Sequence, residues 1–512
     1  MSTEYVDDVP YVRHFIADLA PARLRLIAAL EGVAPPPAED FDYCELGCAH
    51  GDTLAALAAA NPEGRFLGID LSAAHVASAK KLARDGALEN VGFLERDFEA
   101  LLDDDIGEFD YVVAHGVLSW VSADKRKALI EFAHRKLKPG GLLFVSYNAM
   151  PGWAAVEPLR QLLLFPSGAG GSSLDRARSG LAFAQSMLDA KAEYFAKNPS
   201  AVEMLETMTK AGLPYVVHEY LHEHWVPMYF ARVAWEMAAS GLAYVGSQPA
   251  HQAFRELALP ATLEKSLASI TDRISFESLK DFAINEFFRR DVFVRGDAVR
   301  SAAATEAYFE ATSWGTTAHS LPEGRTVKLP HRTASLEAPI YQAVFDVVSS
   351  DASTLASLVR NPALAGFSPA DSRDALLRLA ATDQVLPMVR ATRASPPNEA
   401  GRFAVPLPYN QMMLRRLSTN MPVIMASVPC GTAFPITPLE ALAIRVITEV
   451  GEADREEWIR SFVGGRVLRL RVGERLVEDR DEQRRAIGEA VTHVRRHQLT
   501  KLLELGILAP AE

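Results

Sequence analysis

Cysteine is scarce: Cys44, Cys48 and Cys430 are the only three in 512 residues. An odd count with no CxxC spacing offers neither a disulfide framework nor a zinc cluster, and it fits a reducing, cytoplasmic compartment. Long apolar runs are also missing, since no window reaches the roughly eighteen residues a membrane-crossing helix needs. Met1 to Pro10 is acidic and polar rather than signal-like. The expectation is a soluble protein without membrane insertion. Basic charge is in deficit: 53 Lys and Arg against 65 Asp and Glu leave a net charge of −12. That balance argues against a nonspecific nucleic-acid binder and leaves neutral or cationic partners open. No internal repeat is visible. What remains is a globular composition, 49% hydrophobic with glycine and proline spread throughout, long enough for roughly two to four domains.

The chain is organised around Phe41 to Gly51, FDYCELGCAHG. An apolar run ends there in a small-residue turn, and a helix pattern begins at once. Gly47, Ala49 and Gly51 let backbone approach a ligand, and the helix from Asp52 offers unpaired N–H groups. A second strand pattern, Arg65 to Leu71, ends in Asp70, about twenty residues past the turn, where an acid can accept both ribose hydroxyls. A dinucleotide fingerprint requires glycine where the chain has Ala49 and Asp52, so the nicotinamide reading loses ground. A third strand, Val91 to Glu95, leads to Arg96-Asp97, and a carboxylate there can accept an adenine amino group. Three strand ends address one adenosine.

Before this turn, Pro21 onward (PARLRLIAALEG) reads as an amphipathic helix beside the cofactor mouth, closed by Gly32 and a triple-proline spacer. After it, Phe109 to Ala114 is a fourth strand followed by the loop HGVLSW, Ser122 to Leu137 a helix, and LLFVSYN a fifth strand ending at Tyr147-Asn148. Open parallel sheets bind ligands at such ends, and the alternation implies a doubly wound, Rossmann-like α/β sheet. Ala154 to Leu213 reads as a helical insertion interrupted by the Ser167 to Ser173 glycine-serine loop. Tyr215 to Glu219 and Leu242 to Gly246 read as strands completing the sheet, with a helix over Met228 to Ser240 between them. Gln252 to Val294 reads as helical, including Phe282 to Arg290. From Ala338 the order helix, short helix (Thr354 to Val359), helix (Pro369 to Ala381), strand (Gln384 to Val389) resembles a winged helix. Leu439 to Leu508 reads as helical with solvated charged faces. The resulting domains are 1–250, 251–330 as a mostly helical middle region, and 331–512.

ELGCAHG followed by GID, ERD, FDYVVAHGVLSW and KPGG before a strand resembles the class I S-adenosylmethionine-dependent methyltransferases. VPYVRHF, SYNAMPGW, HEYLHEHW and DFAINEFFRRDVF narrow the likeness to bacterial methyltransferases that carry a methyltransferase regulatory domain. The characterised branch of that family comprises rickettsial-type protein-lysine methyltransferases, which are dimers. The resemblance therefore implies S-adenosyl-L-methionine as cofactor, a protein or small-molecule methyl acceptor, and a homodimer. Carried over residue by residue, Glu45, Gly47, Ala49 and Gly51 match the first cofactor motif, whose middle position is more often glycine. Asp70 with Leu71 matches the ribose position, and Asp97 and Phe98 the adenine site. His115 matches the point where the cofactor's methionine part meets the acceptor. Tyr147, Asn148 and Trp153 face the same opening.

Each residue also has a plain structural reading. Asp70 can cap a helix with Ser72, Asp97 can be an ordinary loop acid, and His115 can simply bond a carbonyl. Trp120, Tyr147 and Trp153 can be core, although aromatic faces also hold cations. His218, His222 and His224 share one face if their segment is a strand, but no fourth ligand is apparent, and no metal is expected. Direct methyl transfer requires alignment, exclusion of water and a deprotonated acceptor. His115, Tyr147 and Asn148 are the catalytic candidates, with His115 favoured as proton acceptor because its ordinary pKa lies near neutrality. Ala338 to Glu512 is expected to shape acceptor access or subunit pairing. A protein amine, a small-molecule acceptor and a non-catalytic cofactor-binding regulator all remain open.

Overall fold

The computed structural model describes residues 8–9, 13–165, 171–390, 402–417, 421–465, 470–473 and 475–511. Residues 10–12 of VPYVRHF and 167–170 of the glycine-serine loop lie outside them.

Strand β1 (Asp42–Leu46) is buried from Tyr43 onward, and α2 (Asp52–Ala60) follows within six residues; α1 (Pro21–Leu30) precedes both. Then come β2 (Arg65–Asp70), α3 (Ala73–Asp85), β3 (Val91–Glu95), β4 (Phe109–Ala114), α4 (Ala123–Lys136) and β5 (Leu137–Asn148). β1, β2, β3, β4 and β5 pair in parallel. Each crossover helix covers a face, so β4 is buried along its whole length. α1 is apolar almost all round. It packs on the sheet beside its far edge rather than at the cofactor mouth.

The insertion is helical as expected but longer: α5 (Glu157–Leu164), α6 (Ser173–Asp189), α7 (Glu193–Lys197), α8 (Pro199–Ala211) and α9 (Leu213–Tyr220). Tyr215 to Glu219, read as a strand, is therefore helix α9. Gly212 and Pro214 at its start are helix-initiating signals that outweigh the β-branched pair Val216-Val217. The insertion has its own core, including Leu159, Leu163, Leu205, Met208 and Val217.

α10 (Phe230–Ala239), β6 (Leu242–Ser247), the short α11 (Arg255–Ala258) and α12 (Glu264–Leu267), and α13 (Arg273–Ile284) follow. α13 stops at Asn285, which adopts the left-handed conformation at φ +52°. The segment Phe288–Arg295, read as helical, is strand β7. It inserts antiparallel between β5 and β6, giving the order β3-β2-β1-β4-β5-β7-β6. The sheet thus takes its seventh strand from beyond residue 250.

Further on, helices Pro339–Ser350, Leu355–Leu358 and Pro369–Ala381 surround a small sheet in which Ser353–Thr354 and Leu386–Met388 flank Ser313–Gly315, consistent with the winged-helix expectation. The last stretch contains helices but also an unanticipated hairpin, Leu470–Val472 with Arg475–Val477. Among the described residues no helix is long and apolar enough to cross a membrane.

Candidate active site

The turn after β1 is built by backbone. Gly47 and Cys48 donate their N–H groups to the Ile69 carbonyl at 2.8 and 3.1 Å, which joins the ends of β1 and β2. Gly51 caps α2 at φ +72°, and a Cβ there would lie 2.8 Å from both Ala79 and Phe93, so only glycine fits. Ala49 also has a positive φ, +46°. An alanine at that angle carries a left-handed strain of order 1–2 kcal/mol.

Asp70 ends β2 with its carboxylate inside this turn. It accepts from Ala49 N at 2.8 Å, Ser72 N at 2.9 Å and shares a contact with His75 Nδ1 at 3.2 Å. Ser72, not Asp70, caps α3. Asp97 accepts from Lys125 Nζ through Oδ2 at 2.9 Å, while its Oδ1 is buried without a partner. Glu45, at the end of β1, is likewise buried with Oε2 unpartnered. Burial, with the charges of Asp70 and Asp52 nearby, pushes its carboxyl up to about 8.

Glu45, Asp70 and Asp97 line one cavity of about 650 Å³, together with Gly47, Ala49, Leu71 and Phe98. That volume is within the range of small-molecule and cofactor sites. His14 and Ile16 close one side. The strap that carries them is held on α2 by Arg13 to Asp52 at 2.9 Å and by Ile16 N to Thr53 Oγ1 at 3.1 Å.

The loops after β4 and β5 open on the same cavity. His115, Trp120, Asn148 and Trp153 line it, but Tyr147 does not. Its side chain is fully buried on the other face of β5, and its hydroxyl donates to Asp291 Oδ2 at 2.6 Å. Burial and that neighbouring carboxylate raise its pKa well above 10. The period-two alternation of a strand sends adjacent Tyr147 and Asn148 to opposite faces, so Tyr147 is withdrawn as a catalytic candidate.

His115 also differs from expectation. Burial pushes it down to about 4, so its imidazole is neutral at pH 7 and a poor base. The Ser146 hydroxyl accepts the Gly116 N–H at 2.8 Å and lies 3.0 Å from His115 Nδ1. The hydroxyl keeps a second lone pair, so the direction of this contact follows the His115 tautomer.

The insertion supplies the rest of the lining: Met204 and Thr207 from α8, and Tyr215, His218, Glu219 and Tyr220 from α9. His218 stands on this helix and His222 beyond its end, so the strand that put the histidines on one face does not exist. Glu219 escaped the sequence reading because its segment was taken as a strand. On a helix it shares a face with Tyr215 four residues earlier, the spacing that signals its position. Gly152 brings the β5 loop against the approach to β7: its N–H donates to the Glu286 carbonyl at 3.0 Å, and a Cβ would fall 2.4 Å from that oxygen. Phe287 thereby reaches the cavity and accepts the Trp153 Nε1–H through its carbonyl at 3.0 Å.

Comparison with known proteins agrees with this architecture. Residues 44–143 match a model described as a methyltransferase domain, and residues 213–295 one described as a predicted methyltransferase regulatory domain. The second match ends with β7, so the region named regulatory completes the sheet. An uncharacterized Synechocystis protein is 29% identical over 86% of this chain and 87% of its own length. An uncharacterized protein of Rickettsia prowazekii is 33% identical, with 44% of this chain aligned to 90% of that relative. Among solved structures, PKMT2 from Rickettsia typhi in complex with AdoHcy has the same fold, with TM-score 0.72 at 22% identity over 98% of this chain and 100% of that one.

Proposed function

Since this chain belongs to the bacterial methyltransferases that carry a methyltransferase regulatory domain, we propose that it uses S-adenosyl-L-methionine to methylate an amine, the side chain of a protein lysine. The observation that carries the cofactor assignment is the convergence of Glu45, Asp70 and Asp97 on one cavity, two of them with a buried oxygen still lacking a donor. Unpartnered buried acceptors are costly, and a ligand rich in donors and positive charge satisfies them. Asp70, already bonded to Ala49, Ser72 and His75, keeps acceptor capacity on Oδ2 for a ribose hydroxyl, Asp97 Oδ1 suits the adenine amino group, and Glu45 suits the cationic methionine end. AdoHcy in the similarly folded PKMT2 supports the same reading.

When bound, the cofactor supplies an electrophilic methyl carbon on a cationic sulfur. The chain's part is to align the acceptor and exclude water. His115, held by Ser146 and neutral at pH 7, positions the acceptor rather than deprotonating it. Asn148 and Trp153 face the acceptor side. Asp52, Asp70, Asp97 and Glu219 outnumber Arg96 and Lys125 in the lining even with Glu45 mostly protonated, which favours a cationic acceptor such as an ammonium. A small-molecule acceptor is the second reading, favoured by the way α8 and α9 wall the cavity.

Incubation with methyl-labelled cofactor and bacterial lysate, followed by mass spectrometry, separates these readings. Label on lysine of protein is expected, and label confined to metabolites or to oxygen would overturn the amine reading. By calorimetry, Asp70→Ala should weaken cofactor binding by about 1.5–3 kcal/mol for each bond to the carboxylate that is lost. Unchanged affinity would remove Asp70 from the site.

A further inference from the structure

The cavity has a second carboxyl-bearing region that the cofactor assignment leaves unused. Glu219 lies on the last turn of α9 and lines the cavity with His115 and Asn148. Its backbone carbonyl accepts the Trp120 Nε1–H at 3.2 Å, so α9 is tied to the β4 loop, where the acceptor must arrive. Beside it runs a series of touching rings that line the same space: Phe287 to Trp153 at 4.5 Å, Trp153 to Tyr220 at 6.1 Å, and Tyr220 to Tyr215 at 6.0 Å. Aromatic faces and one carboxylate form a site for an alkylammonium group.

The other cavity acids are engaged or lie under the glycine turn: Asp52 with Arg13, Asp97 with Lys125, and Asp70 with Ala49 and Ser72. Among the described residues no cation is paired with the Glu219 carboxyl. The titratable groups that line the cavity with it include Tyr215, His218 and Tyr220 on its own helix, His222 after it and His115 on the β4 loop, while Arg160 of α5 binds the backbone that follows it. Arg160 is committed to the carbonyls of Tyr220 and His222, at 3.0 and 2.5 Å. α8 contributes only the uncharged Met204 and Thr207.

We propose that Glu219 binds the acceptor's ammonium group and takes its proton before methyl transfer. This rests on the amine reading above. Glu219 as carboxylate accepts one proton from R–NH₃⁺, which frees the nitrogen lone pair. The N–C bond forms as the C–S bond breaks, with the electron pair left on sulfur. The product departs as R–NH₂⁺–CH₃, and Glu219 returns its proton to water. Burial pushes this carboxyl up to about 7, so it accepts and releases a proton near neutral pH, whereas His115 stays deprotonated there.

The test compares wild type with Glu219→Gln on lysate protein, by counting N-methyllysine after acid hydrolysis. The glutamine keeps the backbone bond to Trp120 and the side-chain volume. Expected are at least a tenfold fall in methyllysine formation, cofactor affinity within twofold by calorimetry, and loss of the limb of the wild-type rate profile that rises toward pH 7. A readout independent of turnover is the melting temperature. A carboxyl whose folded pKa is raised loses its stabilising contribution as pH rises from about 4.5 to 7, so the variant should gain stability over wild type across that window. If wild type makes methyllysine and Glu219→Gln makes it equally well, the Glu219 role is overturned while the amine reading stands. If wild type makes no methyllysine, the amine reading itself fails and the proposal with it.

Discussion

At the residue scale the decisive feature is how burial sets the charge of each acid and base around the cavity. Glu45 shows this most clearly. Held up at about 8 by burial and by the Asp70 and Asp52 charges, it is mostly protonated at pH 7. A cationic ligand beside it favours the carboxylate and lowers its pKa, so binding should release a proton. Calorimetry at pH 7 in two buffers of different ionisation enthalpy should show release approaching about one proton per cofactor bound, and Glu45→Gln should abolish it. No buffer dependence would place Glu45 away from the cofactor's charge. The residues bearing on this were readable: Glu45, Gly47, Gly51, Asp70 and Asp97 all line the cavity or build its turn. The state of His115 was not, because a pKa depends on what packs around the ring, and Phe144 and Phe288 come from distant positions.

At the element scale β7 has the greatest consequence. Its Arg289 is buried with Asp291 at 2.9 Å, Asp281 at 2.5 Å and Glu277 at 3.0 Å, and the guanidinium lies over the Phe230 ring at 4.0 Å. Asp291 in turn accepts from Tyr147 and Ser247. The network ties α13, β6 and β7 to the strand that carries Asn148. Arg289→Met removes the central cation and leaves Glu277 and Asp291 buried without it, so a loss of about 3–5 kcal/mol is expected, measurable by urea unfolding. A loss below about 1 kcal/mol would mean that water enters the cluster. The same charges hid the strand: buried strands read as apolar runs, and FRRDVFVR does not.

At the scale of the whole molecule, the C-terminal part is fastened to the cofactor domain through α2. The outer face of that helix, Ala55, Ala56, Ala59 and Ala60, packs on Tyr409, Met412, Ala426 and Ala433. Asn61 Nδ2 donates to the Gly431 carbonyl at 3.0 Å. Trp314, Val344 and Phe345 share one core with Leu54 and Tyr43. A chain ending at Gly296 bares these apolar surfaces at the helix whose N-terminus forms the glycine turn. It should aggregate, or melt well below the full chain, before cofactor binding can be tested. A soluble fragment with the melting temperature and cofactor affinity of the full chain would show that this interface contributes nothing. Among the described residues the cavity lining takes nothing from this part of the chain, which instead packs behind the helix that bears the glycine turn.

The sequence by itself determined what is local: the glycine turn, the acids closing three successive strands, the alternation of strands and helices through β5, and the winged-helix order from Ala338. In each, neighbouring residues carry the signal, by turn chemistry or by a period of two or 3.6. Only the tertiary structure decided what long-range pairing fixes. β7 enters the sheet because β5 and β6 leave a gap that its backbone hydrogen bonds fill, whatever its charges suggest. Tyr147 and Asn148 part company because the pleat sends adjacent side chains to opposite faces. Glu219 lines the same cavity as His115 because a helical insertion closes over the sheet's carboxyl ends, an arrangement of residues about a hundred positions apart that no local pattern encodes.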